Sequence, residues 1–316
     1  MPHSQKQQQR LPDAVPRERN EGISLDLTWI RRFSVSTEKL EADAARAARV
    51  EVPGGELKPK ELIRVLSSMD LTTLSGDDTL AGVRRLCRTA RSPLSGALKK
   101  QLGKDLGAAR VAAVCVFPAF VPAVLEALEG SGIPVATVAA GFPHGLSTLA
   151  QRVDEVAGAA EMGAQEIDVV IRREWVLSGA WGDLYEEVQA FRNAAGDARL
   201  KVILSTGELE TLSQVGRAAL TALAAGADFV KTSTGKERVN ATLPAGMAML
   251  AALKRYRNRT GHLAGLKPAG GIRTARDGYQ WLRAMEKTFG PEATGPAHFR
   301  IGASSLLADV VETLSS

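Results

Sequence analysis

The chain has 316 residues, 40 of them Lys or Arg and 35 Asp or Glu, for a formal net charge of +5; 45% are apolar and 24% charged. These are ordinary values for a soluble globular protein, and the length fits either two domains or one α/β barrel of roughly 250 residues. Two cysteines (Cys87, Cys115) exclude a disulfide framework and set the cytoplasm as the expected compartment. Four scattered histidines (3, 144, 262, 298) argue against a zinc site, and the absence of a basic stripe argues against nucleic acid.

Residues 1–21 mix both signs of charge without an apolar segment, so they read as a disordered polar arm rather than a secretory leader. Residues 22–63 read as a short N-terminal helical extension. It is rich in Ala, Arg and Glu from Leu40 to Val50 and broken at Pro53-Gly-Gly55. From residue 64 a short apolar run, a turn and a helical pattern recur. The runs are Val65–Leu71, Val111–Phe117, Val135–Ala139, Glu166–Ile171, Leu200–Leu204, Phe229–Lys231, Ala264–Lys267 and Phe299–Gly302. Helices are expected near 122–129, 184–195, 217–225, 244–256 and 275–288. Another starts at the capping box Thr148-Leu-Ala-Gln151, its face built from Leu149, Val153, Val156 and Ala160. The longest apolar stretch, Val111 to Leu125, is too short for a membrane span and contains Pro118 and Pro122.

Eight strands alternating with helices predict one TIM (β/α)8 barrel over residues 64–316. A doubly wound open sheet is the alternative; the count of eight and the lack of a G-x-G-x-x-G after the first strand favour the barrel.

In a barrel the chemistry lies at the carboxyl ends of the strands. Two lysines (Lys231, Lys267) and two aspartates (Asp70, Asp168) stand there inside otherwise apolar runs, and such residues are rarely buried unless paired or in use. Lys231 and Lys267 end successive strands, so a second ammonium could help keep one amine neutral and able to attack a carbonyl. The alternative is a structural ion network in which each lysine pairs with a carboxylate such as Asp168; spacing alone does not choose. Thr234-Gly235, Gly270-Gly271 and Ser304-Ser305 follow the sixth, seventh and eighth strands, where barrels often bind phosphate through backbone N–H groups. N-capping of the last helix is the plainer role for Ser304 and Ser305. Cys115 sits at a strand end, and a free Cys there is more often buried than reactive. His144 and Glu208 read as loop residues.

The motifs Asp70-Leu-Thr-Thr-Leu74, Val138-Ala-Ala-Gly-Phe-Pro143, Gly163-Ala-Gln-Glu-Ile-Asp168, Phe229-Val-Lys-Thr-Ser-Thr-Gly-Lys236, Val239-Asn-Ala-Thr242, Lys267-Pro-Ala-Gly-Gly-Ile272 and Arg300-Ile-Gly-Ala-Ser-Ser305 resemble the deoxyribose-phosphate aldolase family, in its longer form with an N-terminal extension. The resemblance implies a cofactor-free and metal-free Schiff-base aldolase that acts on 2-deoxy-D-ribose 5-phosphate, and a homodimer as its assembly. It implies Lys231 as the Schiff-base lysine, Lys267 as the lysine that lowers its pKa and Asp168 as the acid/base. Asp70, Thr72 and Cys115 would form the supporting network. Thr234, Gly235, Lys236, Gly270, Gly271, Ser304 and Ser305 would bind the sugar phosphate. Two departures stand out. The sequence given ends at Thr313-Leu-Ser-Ser316 where some members carry a tyrosine tail, and Ser205 stands where many carry Glu. Another phosphosugar barrel enzyme or a non-catalytic barrel are the competing readings.

Overall fold

The computed structural model describes residues 19–49 and 57–315. The first eighteen residues of the expected arm and the break at Pro53-Gly-Gly55 lie outside them.

The described chain opens with three helices. They are α1 (Leu27–Arg31), capped by Asp26, α2 (Thr37–Ala48), capped by Ser36, and α3 (Pro59–Ser67), whose proline sits in the first turn. The barrel then alternates β1 (Met69–Thr72), α4 (Leu80–Arg91), α5 (Gly96–Gly107), β2 (Ala113–Val116), α6 (Val121–Leu128) and β3 (Val135–Ala139). It continues through α7 (Leu149–Glu161), β4 (Glu166–Val170), α8 (Arg173–Leu177), α9 (Trp181–Ala194), β5 (Arg199–Ile203) and α10 (Leu212–Ala224). The last third is β6 (Phe229–Lys231), α11 (Leu243–Thr260), β7 (Gly265–Lys267), α12 (Ala275–Phe289), β8 (Ile301–Ala303) and α13 (Leu306–Ser315).

All strands are parallel. Each pairs with its chain neighbour from β1 to β7, and β8 pairs with β1. Bridges Leu266–Phe299 and Ala269–Gly302 join β7 to β8 and close the ring. The fold is therefore the eightfold barrel and not the open sheet. Helices cover the outside and side chains fill the inside, so strands are buried on both faces and read as continuous apolar runs. A charged residue inside such a run is then the exception that needs a partner.

Three local expectations change. The run Val65–Leu71 is not one strand: Val65 and Leu66 close α3, buried on its barrel side, and β1 begins at Met69. Apolar periodicity over so few residues does not separate a buried helix end from a strand. On α7 the buried stripe is Arg152, Val156 and Ala159, while Leu149 is exposed. An arginine can lie there because it pairs with Glu187 at 2.5 Å and donates to the carbonyls of Ala140 and Val170. Finally, residues 19–21 are not part of a loose arm. Asn20 is buried; its side chain donates to the carbonyls of Leu223 and Ala227 and accepts from the Tyr256 hydroxyl at 2.7 Å.

From there the extension runs over α9, α10 and α11. The backbone N–H of Ile23 donates to Ala224, and Ile30 and Phe33 are buried. Phe33 lies against α10 where Gly216 leaves room: a Cβ on that glycine would stand 2.1 Å from the Phe33 ring.

Candidate active site

The barrel interior holds a connected cluster of seven charged side chains, three carboxylates facing four cations. Register explains how they meet. Asp168 of β4 is the partner of Lys201 on β5, and Lys231 on β6 is the partner of Lys267 on β7. Glu166 lies two residues before Asp168, so both project to the same side, separated by roughly 6–7 Å along the strand. Asp70 enters from β1, and Arg300 from the residue before β8.

Asp168 is the hub. Its Oδ2 accepts from Lys231 Nζ and from Lys267 Nζ, each at 2.7 Å, and its Oδ1 accepts from Lys201 Nζ at 2.8 Å. Lys267 Nζ also lies 2.5 Å from Asp70 Oδ2. Below this layer Arg300 grips Glu166 with both terminal nitrogens, at 2.9 and 2.6 Å, and reaches Asp70 Oδ1 at 2.6 Å. Lys201 completes the lower layer with Glu166 Oε2 at 2.7 Å. Lys201, Lys267 and Arg300 are 0% exposed; Lys231, at 3%, is the cation nearest the opening.

These surroundings treat the four cations differently. Burial disfavours the charged form of each. For Lys267 it is outweighed by Asp168 and Asp70, and for Lys201 by Asp168, Glu166 and Asp70, so both ammoniums are held above the usual lysine range. Glu166 and Asp70 do the same for Arg300. Lys231 has one carboxylate, which it shares, and its amine is pushed down by burial and by the Lys267 charge against the pull of Asp168. With one more cation than carboxylates, the cluster becomes electrically balanced when Lys231 gives up its proton. Burial would raise Asp168 and Asp70, but the surrounding ammonium and guanidinium charges keep both well below the usual carboxylate range.

The structure thus brings Lys231, Lys267, Asp168 and Asp70 together. The two open alternatives meet here: each lysine pairs with Asp168 in an ion network, Lys267 with Asp70 as well, and the two amines stand side by side on one carboxylate oxygen. Cys115, the register partner of Thr72, is buried; burial, then the Asp168 charge, pushes its thiol up. Thr72 donates its hydroxyl to the Asp70 carbonyl at 2.7 Å, a bond to the backbone and not to the charged groups.

Gly302 keeps the floor of the site open. A Cβ there would lie 2.8 Å from Ala269 Cβ and 3.4 Å from Lys267 Cε. The Ala269–Gly302 bridge also sets the turn bearing Gly270 and Gly271 beside Ser304 and Ser305, which are exposed ahead of α13. Both glycines have positive φ, 81° and 82°, a conformation that side-chain-bearing residues rarely adopt. Thr234 is buried and Gly235 and Lys236 are exposed in the turn after β6. Their backbone N–H groups go to Glu237.

Sequence reasoning missed Lys201, Glu166, Arg300 and Glu237. The first two satisfy the test that singled out the other charges, a charged residue inside an apolar run, and Glu166 shares the alternation of Asp168. Arg300 stands at the edge of its run and gave a weaker signal. His144 is an exposed loop residue and Glu208 pairs with Arg173 at 2.9 Å. Ser205 is buried with φ 52°, its hydroxyl on Glu237.

This eightfold barrel, with two lysines on one buried aspartate among its strand ends, is a member of the DeoC/LacD family of aldolases, whose sequence profile matches residues 64–310. Its relatives include the deoxyribose-phosphate aldolase of Mus musculus, 47% identical over 291 residues, and that of Homo sapiens, 46% identical over 293, each alignment covering 92% of both chains. Among solved structures, a putative deoxyribose-phosphate aldolase from Coccidioides immitis matches with a TM-score of 0.65 at 28% identity, over 89% of this chain and 98% of that one. Another from Toxoplasma gondii ME49 matches with a TM-score of 0.70 at 26% identity, over 81% and 95%.

Proposed function

We propose that this chain cleaves 2-deoxy-D-ribose 5-phosphate reversibly to D-glyceraldehyde 3-phosphate and acetaldehyde through a Schiff base on Lys231. The observation that carries the reading is the surplus cation: of the four, Lys231 has the least carboxylate around it and lies nearest the opening.

The neutral Lys231 amine attacks C1 of the open-chain aldehyde, and loss of water gives an imine whose protonated form is an electron sink. Asp168 takes the proton of the C3 hydroxyl, directly or through one water, as C2–C3 breaks. C2–C3 must be the bond that breaks, since C1 and C2 leave as acetaldehyde; rupture of C3–C4 would release a three-carbon fragment. The electron pair passes to C2, forming the enamine. Protonation at C2 and attack of water on the resulting imine free acetaldehyde and restore the amine. Lys267 holds Asp168 in place and opposes a proton on Lys231. The turn bearing Gly270 and Gly271, with Ser304, Ser305 and Lys236, receives the phosphate, which orients the sugar through binding energy remote from the reacting carbons. Cys115 stays a protonated, buried neighbour, and Thr72 steadies the backbone under Asp70.

The barrel proper spans residues 64–316 in this reading, with the helical extension as a clasp along its side, and two copies associate in the cytoplasm. No helix among the described residues is long and apolar enough to cross a membrane. Light scattering of the purified chain tests the dimer.

The decisive experiment is borohydride reduction in the presence of acetaldehyde, followed by peptide mapping. The adduct is expected on Lys231 and absent from Lys231→Ala; an adduct that persists in the variant moves the nucleophile elsewhere.

A further inference from the structure

The turn after β6 already contains an anion belonging to the chain. Thr234 N–H donates to both oxygens of the Glu237 carboxylate, at 2.9 Å to Oε1 and 3.0 Å to Oε2. Gly235 and Lys236 donate to Oε2 at 3.1 and 3.2 Å, and the Ser205 hydroxyl at the end of β5 donates to Oε1 at 2.8 Å. Gly235 has φ 86°, which lets successive N–H groups converge. Convergent backbone N–H groups of this kind form a concavity suited to an anion. Burial would raise the Glu237 carboxyl, but these donors, Thr234 foremost, hold it below the ordinary value, so the charge is present throughout the neutral range.

The neighbouring turn is different. Among the described residues no side-chain oxygen accepts from the N–H groups of Gly270 and Gly271. The two turns are also locked together: Asn240 Nδ2 donates to the Glu237 carbonyl at 2.9 Å, and a Cβ on Gly270 would lie 2.7 Å from Asn240 Cβ. The filled turn therefore braces the open one.

We infer that Glu237 is a specificity-determining residue: its carboxylate fills the β6 turn, so a substrate phosphate is received by the turns after β7 and β8 and by the Lys236 side chain, not by the β6 backbone. This rests on the phosphosugar reading above and adds to it that one of three similar turns is closed to the ligand. The closure limits phosphate affinity in two ways, by occupying three donors and by placing a negative charge against an incoming dianion.

The test uses inorganic phosphate as a competitive inhibitor of 2-deoxy-D-ribose 5-phosphate cleavage by the full chain. Glu237→Ala frees the donors and removes the charge, and its inhibition constant should fall about tenfold. Glu237→Gln keeps the shape and removes the charge alone, so its constant should fall by less. A constant that is unchanged or higher in either variant overturns the inference. Loss of borohydride trapping with acetaldehyde, which involves no phosphate, in both variants also overturns it and makes Glu237 a support for the strand of Lys231. If the parent chain itself traps no acetaldehyde, the failure lies with the proposed reaction and not with Glu237.

Discussion

Replacing Lys267 by Leu tests the sharing of Asp168 most directly. Both lysine nitrogens sit 2.7 Å from the same oxygen, so they are no more than 5.4 Å apart, twice that distance. At that separation and an effective dielectric constant of about 20, their repulsion is about 3 kcal/mol. Removing it, while leaving Asp168 to Lys231, favours the protonated amine. The neutral fraction at pH 7 then drops, and kcat/KM should fall about a hundredfold. The sign follows from the chemistry: the amine is active when neutral, so a raised pKa moves the acidic limb of the pH–rate profile to higher pH. Asp70 loses its 2.5 Å partner in this variant but keeps Arg300 at 2.6 Å and Lys201 at 3.4 Å, so the lost bond costs about 1–3 kcal/mol. Lys267→Leu combined with Asp70→Asn removes the carboxylate that lost its partner, and thermal melting establishes that the barrel is intact. Assays at saturating and limiting substrate from pH 5 to 10 supply the profile. A folded variant whose acidic limb stays where the parent has it refutes the account of how Lys231 is kept neutral.

Arg300→Met should destabilise the barrel by about 3–5 kcal/mol, since Glu166 loses its two-pronged partner in a fully buried setting; a urea midpoint equal to that of the parent would contradict it. Gly216→Ala should cost about 1–3 kcal/mol by driving a methyl into Phe33, with activity at low temperature retained. An unchanged melting temperature would mean that the extension is not held where described. Acid should weaken the fold late. Burial opposes ionisation of Asp70, Glu166 and Asp168, yet the enclosed cations keep all three below ordinary values of 3.8 for Asp and 4.5 for Glu. Their contribution is thus complete above about pH 4.5 and is lost as pH falls further; urea midpoints that rise between pH 5 and 3 would reverse that sign.

Much of the barrel could be read in advance, because burying a parallel strand on both faces leaves a mark that needs no partner to interpret. Six of the eight apolar runs overlap a strand through most of their length, and Phe299–Gly302 through half of its own. The exception, Val65–Leu71, fails where a helix end and a strand begin within one apolar stretch. On α7 the capping box and the inward Val153, Val156 and Ala160 are legible, but Arg152 is not, because an arginine does not look like a core residue until Glu187 and two carbonyls are found around it.

Chain order alone places Lys231 and Lys267 at the ends of adjacent strands, since consecutive strands of a barrel are neighbours; that much the amino acids determine through local pattern and register. Which carboxylate they meet, and that it is the same oxygen of Asp168, depends on closure of the ring, which carries β1 and β8 round to β7. Lys201, Glu166 and Arg300 acquire meaning by the same route, as balancing charges whose number leaves Lys231 in excess. Burial, distance and net charge are properties of the assembled interior, and they decide which of several lysines can shed its proton.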